Sequence, residues 1–567
     1  MDSRIATNHD ASPLRSTHKS EVALLLVILA VGIGLRVAWP GRIAVEHFDE
    51  GVYASNLFFD ADRDYQYPFR YLYAPPLLPT LIEWTLTFTK AWQLGPALPS
   101  LFFGSVMIAL SWWVARRWFD ATTGLVAATL IATSDLFVIY SRLALTDVMM
   151  TFFLLASLYW IWLAMRKPSS VHAIVAGLLG GLTWWTKYNG WLPLAIGIVA
   201  LAGTWFIRWR SRKLEVESVS TPRAFRQWVV VAIVAAVCWL PVYLSLQTNG
   251  GYAAVAANHR GYVVGFTGWF GSLMRQYQNT CVLEGGLSVG GIFLGVLVSL
   301  SSQGRQAVRG SAVVLTAATC LAAAASLIGG FAIWTLVSVV YAMVSIYRLG
   351  TSPLPSQCPL AIMLVNVWLL SLLLATPFYT AYPRLLLPAL AAQYIVAASA
   401  VTTAVQTLRR GPLLAKHRWR VVFVASTGVA LAILVWQTPR LNRAGIPGWQ
   451  SRAPFRLAAQ DLARFVSDRR EESVVLVYGD PALFYQLRVH GVAAEPVAYV
   501  PRSIPTAATV YLAATTRNMP PDWHAAPLWT AEVTFSDVVK LNQHGTAPFT
   551  RLDSVQLWQL SPTGETP

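Results

Sequence analysis

Charged residues are scarce in this chain. Asp, Glu, Lys and Arg make up only 12% of its 567 residues, whereas hydrophobic residues make up 55%. A soluble globular protein has about 25% charged residues, and a soluble chain of this length needs a charged surface over several domains. The composition therefore excludes a soluble, disordered or fibrous protein and indicates a polytopic membrane protein.

Cysteines are equally few. The four that are present, at positions 238, 281, 320 and 358, lie in or beside apolar runs and show no CxxC spacing. Zinc sites and disulfide frameworks need closely spaced or numerous cysteines, so the sequence predicts neither.

Long apolar segments are abundant instead. A membrane-spanning helix needs about 20 mainly apolar residues. Thirteen segments are predicted to span: 22–39, 99–114, 122–140, 144–165, 171–186, 191–207, 228–246, 287–302, 311–326, 327–347, 360–376, 385–408 and 421–436. The first has no small-residue cleavage site after its apolar core, and we interpret it as a retained helix and not as a signal peptide.

The distribution of Lys and Arg predicts the orientation of these spans. Short cytoplasmic loops carry the excess of basic residues in a bacterial inner membrane. With residues 1–21 as a cytoplasmic tail, basic residues concentrate in alternate loops, such as 116–117, 166–167 and 208–226. The net charge of +16 therefore reflects orientation and not nucleic-acid binding. We expect a multi-pass inner-membrane protein with a membrane domain over 22–436.

Three segments are predicted to lie on the outer side, namely 40–98, 247–286 and 437–567. The last is nearly neutral and begins its regular pattern with the apolar run SVVLVY at 473–478. A Gly-Asp-Pro turn then leads into a helical stretch to residue 489, and further strands are predicted at 509–513, 529–535 and 555–560. This pattern predicts a soluble mixed α/β domain after the membrane domain.

Ionisable groups gather at the predicted outer face. They lie in HFDEGVYA (47–54), SRLALTD (141–147), TKYN (186–189), NHR (258–260) and YTAYPR (379–384). Ionisable residues at membrane depth are costly and are functional candidates by default. Their arrangement suits an anionic headgroup at the bilayer surface.

Five motifs, taken in their order along the chain, carry a family resemblance. They are DEGVYA (49–54), YLYAPPLLPTL (71–81), YSRLALTD (140–147), GLTWWTKYNG (181–190) and YPRLLLP (382–388). Together with the predicted spans, residues 20–436 resemble the GT-C glycosyltransferases that use a polyprenyl-phosphate sugar donor. The resemblance is to the group of protein O-mannosyltransferases and aminoarabinose–lipid A transferases in particular, and the C-terminal tail matches it only in placement.

The resemblance implies that an acceptor hydroxyl attacks the anomeric carbon of the sugar with inversion, while the lipid phosphate leaves. Asp49 occupies the position of the general base, with Glu50 and Asp147 as companion acids. The predicted phosphate ligands are Arg142, Lys187, Arg260 and Arg384, and His259 is a candidate for contact with the donor or with a metal. The resemblance allows a divalent metal but identifies no cofactor with certainty.

The chain departs from the aminoarabinose group before the second span. That group carries an acid–lysine pair ahead of a proline, where this chain has Tyr73-Ala74-Pro75. The histidine that precedes the double proline in related sugar transferases is also absent. These departures argue against aminoarabinosylation of lipid A and weaken the transfer of the metal site.

Structural roles compete with the catalytic ones. Asp49 and Glu50 would also suit the start of a helix, where acids meet the helix dipole favourably. Arg142 and Asp147 could form an ion pair around a tight turn. Lys187 could extend to the headgroup region, and Arg384 could anchor the chain at the interface.

Two other functions remain open from the sequence. A transporter or flippase of lipid-linked sugars would be expected to show pseudo-symmetric halves and charges at mid-membrane, and the sequence shows neither. A ligase or polymerase that transfers an oligosaccharide en bloc would use a different donor. The acceptor could be a protein, a lipid or a glycan, and no nucleic-acid partner is predicted.

Overall fold

The computed structural model describes residues 13–59, 70–211, 221–248, 250–284, 330–351, 359–410, 453–469, 473–497, 509–519, 525–536 and 550–560, with isolated positions at 291, 295 and 523. Up to residue 410 the described chain is helical. The helices there are α1 (Pro13–Val37), α2 (Phe48–Ala54), α3 (Arg70–Tyr73), α4 (Leu77–Thr89), α5 (Leu98–Trp118), α6 (Ala121–Ala132), α7 (Asp135–Ser141), α8 (Thr146–Arg166), α9 (Ser170–Thr186), α10 (Leu192–Ser211), α11 (Thr221–Gln247), α12 (Gly251–His259), α13 (Gly265–Leu283), α14 (Gly330–Thr351), α15 (Pro359–Ala375) and α16 (Leu387–Arg410).

Several of these helices have the length and composition of membrane spans. Within the described residues there are seven, in α1, α5, α8, α10, α11, α15 and α16, or eight if α6 and α7 are one bent span. The predicted polytopic helical class is confirmed. The number thirteen stays a prediction. The helices α9 and α14, over the predicted spans 171–186 and 327–347, are not among the seven. The segments 311–326 and 421–436 lie outside the described residues, as does 287–302 apart from two positions.

The third predicted span differs from the expected single helix. It consists of α6 and α7, which bend by 61° at the break between them. A helix start inside a protein leaves backbone N–H groups that need acceptors. The fully buried carboxylate of Glu284 supplies them, since it accepts from Ser134 Oγ at 2.5 Å, Asp135 N at 3.2 Å and Leu136 N at 2.9 Å. The Tyr394 hydroxyl also donates to Glu284, at 3.2 Å.

The C-terminal domain is a mixed α/β unit, as predicted. Its strands are β1 (Ser473–Tyr478), β2 (Ala494–Val497), β3 (Thr509–Thr515), β4 (Trp529–Ser536) and β5 (Thr550–Gln559), in the sheet order β2-β1-β3-β5-β4. β1 runs parallel to β2 and β3, and β5 is antiparallel to β3 and β4. The helices α17 (Pro454–Ser467) and α18 (Pro481–Val489) add apolar residues to the core of this sheet. The sequence missed β2, a strand of four residues that includes a proline.

The C-terminal domain packs directly on the segment 40–98, which is predicted to lie on the outer side. Gly51 in α2 lies against the backbone of Pro481 and Ala482, so closely that a methyl group there would overlap it. Gln486 Nε2 donates to the Val45 carbonyl at 3.0 Å, and Tyr485 Oη donates to the Trp92 carbonyl at 2.5 Å. Helix α18 is therefore seated on the segment that contains Asp49 and Glu50.

Candidate active site

The short helix α2 holds Asp49 in its first turn. His47 precedes the helix in an extended conformation, and its Nδ1 accepts from the Asp49 backbone N–H at 3.1 Å. Glu50 completes the capping box, because its Oε2 accepts from the His47 backbone N–H at 2.9 Å. A seven-residue helix is too short to be stable alone, so this cap and the domain packed on it fix the position of Asp49.

Glu50 also connects α2 to a distant turn of the chain. Its Oε1 accepts from Ala144 N at 2.7 Å, and its Oε2 accepts from Glu46 N at 3.1 Å. The Glu50 side chain thus receives at least three backbone N–H groups while the residue is 1% exposed. These bonds tie the segment that carries Asp49 to the turn that leads into α8 and Asp147.

The carboxylate of Asp49 is ion-paired with Arg384. Arg384 Nη1 lies 2.7 Å from Asp49 Oδ2, and the two side chains are 19% and 14% exposed. Arg384 belongs to a 3-10 turn, Pro383–Leu386, that leads into α16. The Nε atom of Arg384 is buried and has no hydrogen-bond partner among the described residues. One donor of the guanidinium therefore holds the predicted base while another remains available.

A second ion pair joins Asp147 and Lys187. Asp147 is in the first turn of α8, where the helix dipole favours an acid, and Lys187 directly follows α9. Lys187 Nζ lies 2.5 Å from Asp147 Oδ1, with the lysine side chain 23% and the aspartate side chain 1% exposed. The ion pair of Asp147 is therefore with Lys187, and not with Arg142 as in the alternative considered from the sequence.

The two ion pairs form one electrostatic cluster. Burial by itself raises the pKa of Asp49, but the guanidinium of Arg384 outweighs that effect and holds the pKa below its usual value. Lys187 contributes to the same lowering of the pKa. Tyr53 is buried close to both pairs, and burial together with the carboxylates of Asp49 and Asp147 raises its pKa well above the usual value. Two acids, two cations and a neutral phenol are thus brought together.

Arg142 is hydrogen-bonded to the backbone at the end of α1. It is 2% exposed and donates to the carbonyls of Arg36 at 2.7 Å, Ala38 at 2.5 Å and Trp39 at 3.4 Å. These carbonyls are at the C-terminal end of α1, where a cation is favoured by the helix dipole. The guanidinium therefore closes the end of the first span and joins it to the turn before α8.

The remaining predicted residues lie on the segment 247–286, the second of the predicted outer segments. Arg260 is exposed in the turn that follows α12, and His259 Nδ1 lies 2.8 Å from the Val255 carbonyl. That bond requires a proton on Nδ1 and leaves Nε2 for other contacts. This segment is attached to the stretch before Arg384, because Thr380 N donates to the Tyr262 carbonyl at 2.7 Å.

The stretch that departs from the aminoarabinose pattern lies beside the base. The Tyr73 ring packs against Phe48 with ring centroids 5.5 Å apart. Burial, and to a smaller extent the charge of Asp49, raises the pKa of Tyr73. This chain therefore has an aromatic residue, Tyr73, in the stretch where the aminoarabinose group is expected to carry its acid–lysine pair. Within the described part of the chain, no three His, Cys, Asp or Glu residues are arranged to hold a metal ion.

Four residues at the site were missed from sequence alone: Glu46, His47, Tyr53 and Tyr140. His47 and Glu50 have the spacing of a capping box, with His in place of Ser or Thr. Tyr53 follows Asp49 by four residues and so lies on the same face of the helix. Glu46 gave no signal, because its role depends on the C-terminal domain, where its Oε2 accepts from Phe455 N at 3.0 Å.

Comparisons with known proteins agree with this architecture. ArnT from Cupriavidus metallidurans, solved with bound undecaprenyl phosphate, matches with a TM-score of 0.50 at 13% identity, over 95% of this chain and 97% of its own. The archaeal oligosaccharyltransferase AglB from Archaeoglobus fulgidus, in complex with an inhibitory peptide and a dolichol-phosphate, matches with a TM-score of 0.50 at 15% identity. The fold is that of the GT-C glycosyltransferases.

The extent of these matches differs. The AglB match covers 84% of this chain but only 64% of the archaeal protein. Residues 79–252 match the family model described as dolichyl-phosphate-mannose-protein mannosyltransferase. That stretch contains Asp147 and Lys187, whereas Asp49 and Arg384 lie outside it. No curated protein sequence matches this chain.

Proposed function

We propose that this protein is a membrane glycosyltransferase that moves a sugar from a polyprenyl-phosphate donor to an acceptor hydroxyl, on the outer side of the membrane and with inversion. The observation that carries the proposal is the pairing of Asp49 with Arg384 beside the pairing of Asp147 with Lys187. The GT-C fold supports it, as do the undecaprenyl phosphate and dolichol-phosphate bound in the two similar structures.

Asp49 acts as the general base. Its lowered pKa keeps it ionised at neutral pH, and its carboxylate is partly open at 14% exposure. The acceptor O–H gives its proton to Asp49 as its oxygen bonds to the anomeric carbon. The bond from that carbon to the phosphate oxygen breaks, and the electron pair leaves with the lipid phosphate.

Arg384 and Lys187 stabilise the departing phosphate. Negative charge on the phosphate grows as the bond breaks, and cations placed there lower the barrier. The unpartnered Nε of Arg384 lies next to the nitrogens of the same planar fork, which suits two phosphate oxygens at once. Arg260 and His259 Nε2 are the candidates for further phosphate contacts from the second outer segment.

Glu50 and Arg142 act by positioning. The carboxylate of Glu50 accepts from backbone N–H groups, the guanidinium of Arg142 donates to backbone carbonyls, and both residues are almost fully buried. Glu50 orients the segment of the base, and Arg142 fixes the turn that precedes Asp147.

The rivals make different demands on the same groups. A flippase would need the charges to face both sides of the membrane in turn. An en bloc ligase would use a diphosphate-linked oligosaccharide, and AglB, described as an oligosaccharyltransferase, keeps that reading open. The match to the mannosyltransferase family model favours a monosaccharide donor for the first test.

The full-length protein in proteoliposomes should be incubated with undecaprenyl-phosphate mannose, undecaprenyl-phosphate glucose or an undecaprenyl-diphosphate oligosaccharide, with a membrane extract as the source of acceptors. We expect release of undecaprenyl phosphate from a monosaccharide donor, and release slower by about 100-fold or more with the Asp49→Asn variant. Turnover of the diphosphate donor alone would favour the ligase. Movement of donors across the bilayer without turnover would favour the flippase.

A further inference from the structure

One oxygen of Asp147 has no hydrogen-bond partner in the described part of the chain. Oδ1 accepts from Lys187 at 2.5 Å, whereas Oδ2 is buried and makes no hydrogen bond to any described residue. A buried acceptor without a partner costs stability, so such atoms are rare and each calls for an explanation. The general base of the proposed reaction is Asp49, so the proposed reaction does not explain the Oδ2 atom of Asp147.

A second buried polar group with an unused donor lies across the same turn. The Tyr140 hydroxyl, at the end of α7, is buried and donates no hydrogen bond to a described residue, while its oxygen faces the backbone N–H of Arg384. Tyr140 is within electrostatic reach of both Asp147 and Arg384. A carboxylate oxygen accepts hydrogen bonds, and a phenol can donate one. The two groups therefore match a single ligand hydroxyl, which would donate to Asp147 and accept from Tyr140.

Lys187 is the movable part of this arrangement. Its side chain is 23% exposed, whereas that of Asp147 is 1% exposed. A flexible lysine next to an arriving phosphate is drawn towards the larger negative charge. Its departure would open the carboxylate of Asp147 only when a donor is bound.

We infer that Asp147, together with Tyr140, binds a hydroxyl of the transferred sugar and so selects the donor. This inference rests on the proposed function and divides the labour between the two acids. Asp49 takes the proton of the acceptor, and Asp147 recognises the sugar. Lys187 binds the phosphate of the donor, and it pairs with Asp147 when no donor is bound.

The test uses the full-length protein and the undecaprenyl-phosphate hexose that it turns over fastest, with the mono-deoxy analogues of that donor. We expect one analogue to lose about 10- to 100-fold in kcat/KM with the wild-type protein, the range for a lost hydrogen bond to a charged group. Asp147→Asn and Tyr140→Phe should lower kcat/KM for the parent donor and shrink the preference over that analogue. Lys187→Met is the matched control, and it should lower kcat/KM for all donors while the preference survives.

Several results would overturn the inference. A wild-type protein that uses all deoxy analogues as well as the parent has no hydroxyl subsite. An Asp147→Asn variant with reduced turnover but the full wild-type preference would assign Asp147 to a step common to all donors. If no lipid-phosphate sugar is turned over at all, the proposed function falls and the subsite falls with it.

Discussion

The substitution Glu50→Gln removes one charge from a side chain that receives three backbone N–H groups. In its better orientation, the amide oxygen of Gln keeps the bonds from Glu46 N and His47 N, and its NH2 group then faces Ala144 N. Two donors confront each other, so one hydrogen bond to a charged group is lost, at about 1.5–3 kcal/mol, and a buried N–H is left unpaired, at about 1–3 kcal/mol. We expect the free energy of unfolding to fall by about 2.5–6 kcal/mol.

The measurement is thermal unfolding of the purified protein, followed by tryptophan fluorescence, with turnover normalised to the folded fraction. Glu50→Gln should unfold at a clearly lower temperature, with a smaller loss of turnover per folded molecule. Asp49→Asn is the matched control, because it changes the neighbouring acid by the same group. It should cost much less stability and lower turnover by about 100-fold or more, the scale for loss of a general base.

One result would refute this reasoning. If Glu50→Gln unfolds at the wild-type temperature and loses as much turnover as Asp49→Asn, then Glu50 takes part in the chemistry and the three backbone bonds do not define its role.

The remaining predictions address the phosphate, the base, the domain contact and the topology. Arg384→Ala should lower kcat/KM for the donor through a loss of about 2–4 kcal/mol of transition-state stabilisation, and Arg384→Lys should also be impaired, both at an unchanged protein level. A fully active Lys variant would identify Arg384 as an interfacial anchor. Because Arg384 holds the pKa of Asp49 below its usual value, activity should persist as pH falls until that lowered pKa is reached. In the Arg384→Ala variant, the acid limb of the kcat/KM profile should therefore move to higher pH. An unmoved limb would exclude Asp49 as the titrating group. Gly51→Ala should displace α18 from α2 and reduce turnover. Gly41→Ala is the control and should leave turnover unchanged, because the added methyl group would meet open space. Equal activity of the two variants would remove the domain contact from the mechanism. A cysteine at Asn542 should react with an impermeant thiol reagent outside intact cells and one at Ser218 should not, and the reverse pattern would contradict the predicted orientation.

The sequence by itself determined the class of the protein and the approximate place of its elements. Apolar runs of membrane length predict helices because a backbone in lipid must satisfy its own hydrogen bonds, and α8 and α15 begin and end close to the predicted bounds. The run SVVLVY predicted β1 for a similar reason, since a strand buried on both faces is apolar throughout. The break between α6 and α7 was not predicted, because the residue that makes it tolerable, Glu284, lies 150 positions from Ser134.

The partners of the site residues were decided only by the tertiary structure. The motifs identified Asp49, Asp147, Lys187 and Arg384, but nothing in their spacing indicates that Asp49 pairs with a residue 335 positions away. Sequence reasoning gave no sign of the backbone contacts of Glu50 and Arg142, because a charge at a predicted outer turn has the same pattern whether it meets a substrate or a backbone. That distinction depends on which N–H and carbonyl groups the fold brings within hydrogen-bond distance, and these come from helix ends and turns remote in the chain.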